Sequence, residues 1–419
     1  MKRAEWLLVG LLLMSILVAL GGVFVRPRLT EILAQLAGPA GASLLTPGGP
    51  GAQAVQDAAE LQDDALISGM THAKRIAQQL VVYGPTNAED LRRLLSLGVG
   101  GLLLDRDHGP GLAAFRAYTG RVDALRPRPR PLIALDQEGG RVTRVVDDGL
   151  VTYATNALIG RQPRPSAKWV VADEGATFGA ALRGAGIDVN LAPVADVASN
   201  TRSSIIAGFG RSYGPDSSVV ATLTGIFAGA LQKEGVAPTL KHFPGHGMVA
   251  EDSHHALPVA NLGRAALEKH LQPYRQTFAD PSIRQDMMLV MTAHVLYPAL
   301  DPKQPASMSR AITTGLLRQE LGFQGVIITD ALGMGALKNG VKDRALGALK
   351  AGADLVLLDA GIGQAAGPVI NAILAAYGDD ATRWAENARS LKRILRLKRA
   401  LHPAPEPSAA RPPPEPPSP

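Results

Sequence analysis

Gly325-Val326-Ile327-Ile328-Thr329-Asp330 is a run of four β-branched residues that ends in a carboxylate, with Gly333 and Gly335 close behind. A short β-branched run bounded by glycine reads as a buried strand. An acid at the carboxyl end of such a strand stands where parallel α/β barrels carry their working side chains. Seven other runs share this character: Gln79–Tyr83, Gly100–Leu104, Pro131–Leu135, Ile187–Leu191, Ala237–Lys241, Met288–Ala293 and Ala353–Leu358. Between them lie amphipathic stretches of helix length, at Ala88–Leu97, Lys168–Ala185, Val219–Glu234, Leu267–Phe278, Thr313–Leu321 and Arg344–Ala351, several closed by a glycine in the C-cap position. Eight strand–helix alternations over residues 63–402 predict an α/β fold, a (β/α)8 TIM-type barrel forming one catalytic domain; a doubly wound open sheet is the alternative. The runs end in or near Asp136, Asp196, Lys241-His242, His294, Asp330 and Asp359, so the polar residues gather on one rim.

Outside the barrel the chain changes character. Trp6 to Val25 is an uncharged apolar run behind Lys2 and Arg3, long enough to cross hydrocarbon, and predicts a transmembrane signal anchor over residues 1–28. A weak small-x-small pattern at Ala19-Leu20-Gly21 is the alternative, a cleaved signal peptide. Retention of the segment implies a membrane-anchored protein with its catalytic domain outside the cytoplasm, although Arg26 and Arg28 weaken the charge bias that orients it. Residues 29–62, rich in Gly, Ala and Pro, read as a flexible linker, and residues 403–419 as a Pro-rich disordered tail. The absence of cysteine excludes disulfides and thiolate chemistry. The net charge of +6 is matched by one late helix carrying Arg383, Arg389, Lys392, Arg393, Arg396, Lys398 and Arg399 against Glu386. That helix is expected to show a solvated basic face or to touch an anionic surface. With 4% aromatic residues and no spread basic face, nucleic acid is not an expected partner.

Chemistry concentrates in two places. A carboxylate held by a strand end, as at Asp330, stays ionised at neutral pH and can attack an electrophilic carbon; the plainer reading is a helix cap. Lys241-His242-Phe243-Pro244-Gly245-His246-Gly247, followed by Asp252-Ser253-His254, threads histidines, a lysine and an aspartate on loop-forming residues. Asp252 and His254 are spaced to pair on a turn, where the carboxylate orients an imidazole able to give and take a proton. Asp136 opens Asp136-Gln137-Glu138-Gly139-Gly140-Arg141, a glycine-bearing loop whose acid and cations, Arg141 and Arg144, suit polar hydroxyls or form a structural ion pair. A histidine metal site competes, but Phe243-Pro244-Gly245 prevents His242 and His246 from sharing a helix face. No metal and no cofactor is expected.

These motifs, with NLAPVADV at Asn190–Val197, GFGRSYG at Gly208–Gly214, MTAHVLYPALD at Met291–Asp301 and ITDALGM at Ile328–Met334, together resemble glycoside hydrolase family 3, and within it the β-N-acetylhexosaminidase branch. The resemblance runs from about Asp64 to Leu401. It implies a retaining exo-β-N-acetylglucosaminidase acting on peptidoglycan fragments or related glycans. Asp330 matches the family's nucleophile, which forms a covalent glycosyl-enzyme. His254 with Asp252 matches the acid/base dyad that replaces the second carboxylate of most retaining glycosidases. Asp136, Arg144, Arg211, Lys241 and His242 match positions that bind the terminal N-acetylglucosamine. Met248-Val249 stands where relatives often carry Asp-Thr, with the spacing to Asp252 kept, and the additional carboxy-terminal domain of many relatives is not expected. A histidine in place of a second carboxylate also admits phosphate as the acceptor, so a phosphorylase is an alternative. Others are a β-glucosidase of the same family and a non-catalytic glycan-binding wall protein. The partners implied are a glycan substrate and, through the amino-terminal helix, a membrane; the protein is expected to be a monomer.

Overall fold

The computed structural model describes residues 50–146, 150, 153–200, 205–361 and 363–403. Residues Met70–Leu401 form one compact unit. Its strands, in chain order, are β1 (Leu80–Tyr83), β2 (Gly101–Leu103), β3 (Leu132–Leu135), β4 (Gln137–Gly139), β5 (Val142–Thr143), β6 (Val189–Asn190), β7 (Ala237–Phe243), β8 (Leu289–Thr292), β9 (Leu296–Tyr297), β10 (Asp301–Pro305), β11 (Val326–Ala331) and β12 (Leu355–Leu358). Eight of them close into a parallel barrel in the order β1-β12-β11-β8-β7-β6-β3-β2, while β4 pairs with β5 and β9 with β10 in small antiparallel hairpins on the βα side. Closure is made by Leu80 against Val356, so the open-sheet alternative does not apply.

All eight expected strand runs are barrel strands. They are legible because parallel strands are covered on both faces and so read as continuous aliphatic runs. Val82, Leu102, Ile133, Leu240, Val290, Ile327 and Val356 are all buried, each contributing about 1.5–3 kcal/mol by leaving water. The six helices expected from periodicity also form, from Ala88–Leu97 to Val341–Ala351, although Ala311–Glu320 winds as a π-helix. Ala88–Leu97 shows why its ends are sharp. Asn87 Oδ1 accepts from the Asp90 N–H at 2.8 Å, Leu91 and Leu94 face the core, and Gly98 turns the chain out at φ 78°. Helices at Gly111–Ala124 and Ala366–Tyr377 also form, without having been expected.

Two expectations about the flanks change. The flexible linker, expected to reach Gln62, gives way to a helix over Pro50–Ser68, where Ala, Gln, Glu and Leu outweigh the glycines and prolines that dominate earlier residues. That helix lies outside the barrel unit. The late basic helix, Ala381–Leu401, does not present a simple solvated face. Arg393 ion-pairs with buried Asp354 at 2.8 Å, Ser390 Oγ donates to the same carboxylate, and buried Lys398 donates to Gln78 Oε1 at 2.9 Å. Asn387 Nδ2 donates to Gln79 Oε1, and Arg318 completes the partners of Asp354. These charges close the barrel's floor, and burial pushes the Lys398 ammonium down to about 7. Among the described residues no helix is long and apolar enough to cross a membrane; residues 1–28, where the transmembrane helix is expected, lie outside them, as do residues 404–419 of the expected tail.

Candidate active site

The rim residues converge on one cavity of about 510 Å³ at the carboxyl ends of the strands. Asp136, Arg144, Arg211, Lys241, His242, Asp252, His254 and Asp330, the eight residues singled out in the sequence, all line it. They reach it from different elements. Asp136 directly follows β3, β7 carries Lys241 and His242, and β11 carries Asp330; Arg211, Asp252 and His254 come from longer loops.

The inner wall is a charge network that the sequence did not reveal. Glu138, buried, accepts two parallel hydrogen bonds from Arg211, from Nε and Nη2, each at 2.8 Å. Lys241 Nζ bridges Glu138 Oε1 at 2.7 Å and Asp136 Oδ1 at 2.6 Å. Burial alone would raise the Glu138 carboxyl, but Arg211 and Lys241 overcome it and hold the acid far below the usual carboxylate range. Lys241 stays cationic for the complementary reason, since Asp136 and Glu138 outweigh its burial. The chain bends here through Gly139 (φ 87°) and Gly140 (φ 55°); a Cβ on Gly139 would lie 2.3 Å from Glu174 Oε1. Glu138 had a legible signal, because it follows Asp136 by two residues on extended chain and so shares its face.

Asp196 is a second unassigned acid. It accepts from His242 Nδ1 at 2.7 Å and from the backbone N–H groups of His242 (3.2 Å) and His246 (2.6 Å). Nδ1 of His242 therefore carries the proton, and Nε2, 3.4 Å from Arg211 Nη2, is the ring's acceptor. His246 is buried and pushed down to about 4 by burial and the nearby His242, so it is neutral. Its Nε2 lies 2.9 Å from Ser253 Oγ, which ties β7's loop to the Asp252–His254 segment.

Asp330 is half-buried, and its Oδ1 accepts from the Ala331 N–H at 2.8 Å. Burial opposes ionisation, yet His242, His294, that N–H and Lys241 together hold its carboxyl below the ordinary range. His294, pushed down by burial, lies 2.8 Å from Ser307 Oγ and donates from Nε2 to the Ala331 carbonyl at 3.0 Å, fixing the peptide that follows Asp330. Asp359, beside Asp330 on the cavity wall, is shifted the other way, upward, by burial and then by the charge of Asp330.

At the mouth, His254 Nδ1 lies 2.7 Å from Asp252 Oδ1, and the same oxygen accepts from the His254 N–H at 2.8 Å. The imidazole is 58% exposed, whereas the Asp252 carboxylate is largely covered and its acidity is strengthened by these two donors despite that burial. The segment is anchored: the His254 and Ser253 carbonyls accept from the N–H groups of Gly335 and Ala336, each at 3.0 Å. Arg144, for its part, pairs with Asp105 at 2.9 Å. Such a cavity joins an ionised carboxylate at one wall to an oriented imidazole at its mouth, with buried charges able to grip hydroxyl groups.

Residues 71–397 match the glycosyl hydrolase family 3 N-terminal domain. The chain belongs to glycoside hydrolase family 3. It is 34% identical over 331 residues to a β-hexosaminidase of Methylobacillus flagellatus, covering 77% of this chain and 88% of that protein. A β-hexosaminidase of Chromobacterium violaceum is 38% identical over 282 residues, 66% of this chain and 76% of the relative. Among solved structures, a family 3 β-N-acetylglucosaminidase from Paenibacillus sp. superposes with a TM-score of 0.72 at 34% identity, over 80% of this chain and 63% of that one. A β-N-acetylhexosaminidase from Beutenbergia cavernae gives 0.69 at 28% identity, over 78% of this chain and 98% of its own. This family 3 member is therefore a glycoside hydrolase, and its cavity lies inside the matched segment.

Proposed function

We propose that this hydrolase is a retaining exo-β-N-acetylglucosaminidase that removes terminal N-acetylglucosamine from peptidoglycan fragments or related glycans. The observation that carries the reading is the His254–Asp252 pair on a rim segment lining the same cavity as Asp330. In this reading Asp330 attacks the anomeric carbon while His254 protonates the departing oxygen, giving a glycosyl ester on Asp330. The imidazole, now basic, takes a proton from water, which attacks the anomeric carbon, displaces the Asp330 carboxylate and frees the sugar with its configuration retained. Asp252 steadies the imidazolium that forms in the first step. Asp136, Lys241, His242, Arg211 and Arg144 hold the sugar's hydroxyls, the first two and Arg211 through the buried network around Glu138. The names of the β-hexosaminidase relatives support the acetamido specificity.

The test is an assay of the purified protein on aryl β-N-acetylglucosaminide and aryl β-glucoside, with the anomer of the first product read by NMR. Strong preference for the acetamido sugar and release of the β-anomer are expected; equal rates on both sugars, or the α-anomer, would refute the proposal. A main product of sugar 1-phosphate in phosphate buffer would refute hydrolysis in favour of phosphorolysis.

The reading includes the flanks. The barrel domain, expected over residues 63–402, is proposed to act as a monomer outside the cytoplasm, tethered by the apolar run Trp6–Val25 behind Lys2 and Arg3. Fractionated cells should hold the protein in membranes after carbonate washing; its appearance in the wash would remove the anchor.

A further inference from the structure

Arg141 and Phe209 come from different loops, the turn between β4 and β5 and the segment Ile205–Arg211, and meet at the mouth of the cavity. The Arg141 guanidinium carbon lies 5.5 Å from the Phe209 ring centroid. Phe209 is 44% exposed, and Arg141 is exposed as well. A large aromatic ring left in water at the lip of a polar cavity gains by receiving a ligand face.

The charges around the cavity make Arg141 distinctive. Lys241 is held by Asp136 and Glu138, Arg211 by Glu138, and Arg144 by Asp105. Among the described residues Arg141 is the one lysine or arginine of the lining with no carboxylate in ion-pair range. The rest of the wall is rich in acids: Asp105, Asp136, Asp252, Asp330 and Asp359. An anionic substituent is repelled over most of this surface and accepted at Arg141, so the arrangement selects by position as well as by charge.

We infer that Arg141 and Phe209 recognise a carboxylate on the leaving group, the sugar next to the bond that is cut. The inference rests on the exo-glycosidase reading above. Glu138, Lys241 and half-buried Asp330 close the inner end, so a terminal sugar seated there must send the remainder of the glycan outward through the mouth. The Phe209 ring packs against the apolar face of that outer sugar, and the Arg141 fork grips the carboxylate through paired N–H donors. Two sugar types carry such a group close to the glycosidic bond: an amino sugar with an ether-linked lactyl acid, as in muramic acid, and a uronic acid.

The experiment uses the full-length protein and β-1,4-linked disaccharides of N-acetylglucosamine on each acid type, every one compared with its methyl ester, beside the neutral aryl N-acetylglucosaminide. For at least one acid, kcat/KM should exceed that of its ester by about tenfold, most of it in KM, and the favoured acid identifies the source. Arg141→Met should bring that ratio near one, Arg141→Lys should keep part of it, and Phe209→Leu should weaken acid and ester alike relative to the aryl substrate. Turnover of the aryl substrate with ratios near one for both acids, or a ratio unmoved by Arg141→Met, overturns the inference alone. No turnover of the aryl substrate by the unaltered protein overturns the glycosidase reading and this inference with it.

Discussion

The carbonyl of His254 accepts a hydrogen bond from the N–H of Gly335 at 3.0 Å, on the loop that follows β11 and its Asp330. The segment bearing the exposed imidazole thus rests on the segment bearing the buried carboxylate. A Cβ at position 335 would come within 2.7 Å of that carbonyl and 3.0 Å of the next. Gly335→Ala should therefore displace His254 while leaving Asp330 on its strand. We expect kcat/KM to fall about tenfold or more on disaccharides, whose leaving groups need a proton, and much less on activated aryl glycosides. Equal losses on both would separate the loop from proton transfer.

Removing the nucleophile should be absolute by comparison. Asp330→Asn is expected to lower kcat by about 1,000-fold or more on every substrate, because a neutral amide at the strand end cannot attack the anomeric carbon as a carboxylate does. His254→Ala should instead slow release of the sugar from Asp330 when the leaving group is activated. Mass spectrometry of that variant, quenched during turnover, should find one N-acetylhexosamine on the peptide containing Asp330. An unmodified peptide, with turnover continuing, would contradict the covalent route.

Glu138 never needs to touch substrate to matter. Glu138→Gln leaves Lys241 paired with Asp136 and takes from buried Arg211 the carboxylate it grips, and breaking such a network costs about 3–5 kcal/mol. Urea unfolding should show that loss in the midpoint, with activity reduced at the same time. A midpoint unchanged from the parent protein would mean that the network is dispensable.

Acid should destabilise the barrel earlier than its carboxylates alone would. His246 and His270 are buried and pushed down to about 4, by burial first and then by His242 and Lys269 respectively. Their unfolded value is about 6.5, so between those limits the unfolded chain binds more protons and stability falls as the pH drops through the window. The depressed carboxyls of Asp196, Asp330 and Asp354 follow the carboxylate sign: their contribution is present above the unfolded value and is lost further down. Thermal unfolding between pH 7 and pH 4 should show a decline in Tm beginning near pH 6.5, and His270→Gln should flatten it. A parallel curve for the variant would remove His270 from the account.

The barrel was legible because each strand is a local signal: Val326–Thr329 or Leu355–Leu358 announces itself whatever it packs against. Asp136, Arg144, Lys241, His242 and Asp330 were legible for a related reason, since strand ends and a glycine loop place them on one rim, whereas Asp252 and His254 were read from their spacing and Arg211 from the family resemblance alone. What stayed hidden depends on contacts distant in sequence. Asp196 became meaningful only when β6 and β7 brought it beneath His242, and His294 only when β8 set it against Ala331. His246 carried no assigned role because its partner, Ser253, looked like a spacer between Asp252 and His254. The late helix misled through composition, because counting charges does not show that Arg393 and Lys398 point toward buried partners.

That late helix also sets an order of events. Its Asn387 and Lys398 hold the chain just before β1, at Gln79 and Gln78, and its Arg393 and Ser390 hold Asp354 just before β12. The clasp spans the seam where the first and last strands meet. A nascent chain that has already made every residue of the cavity still lacks the piece that locks this seam, so the ring is secured only after residues 381–401 have emerged. Up to that moment the protein holds its full catalytic complement on an unfastened sheet.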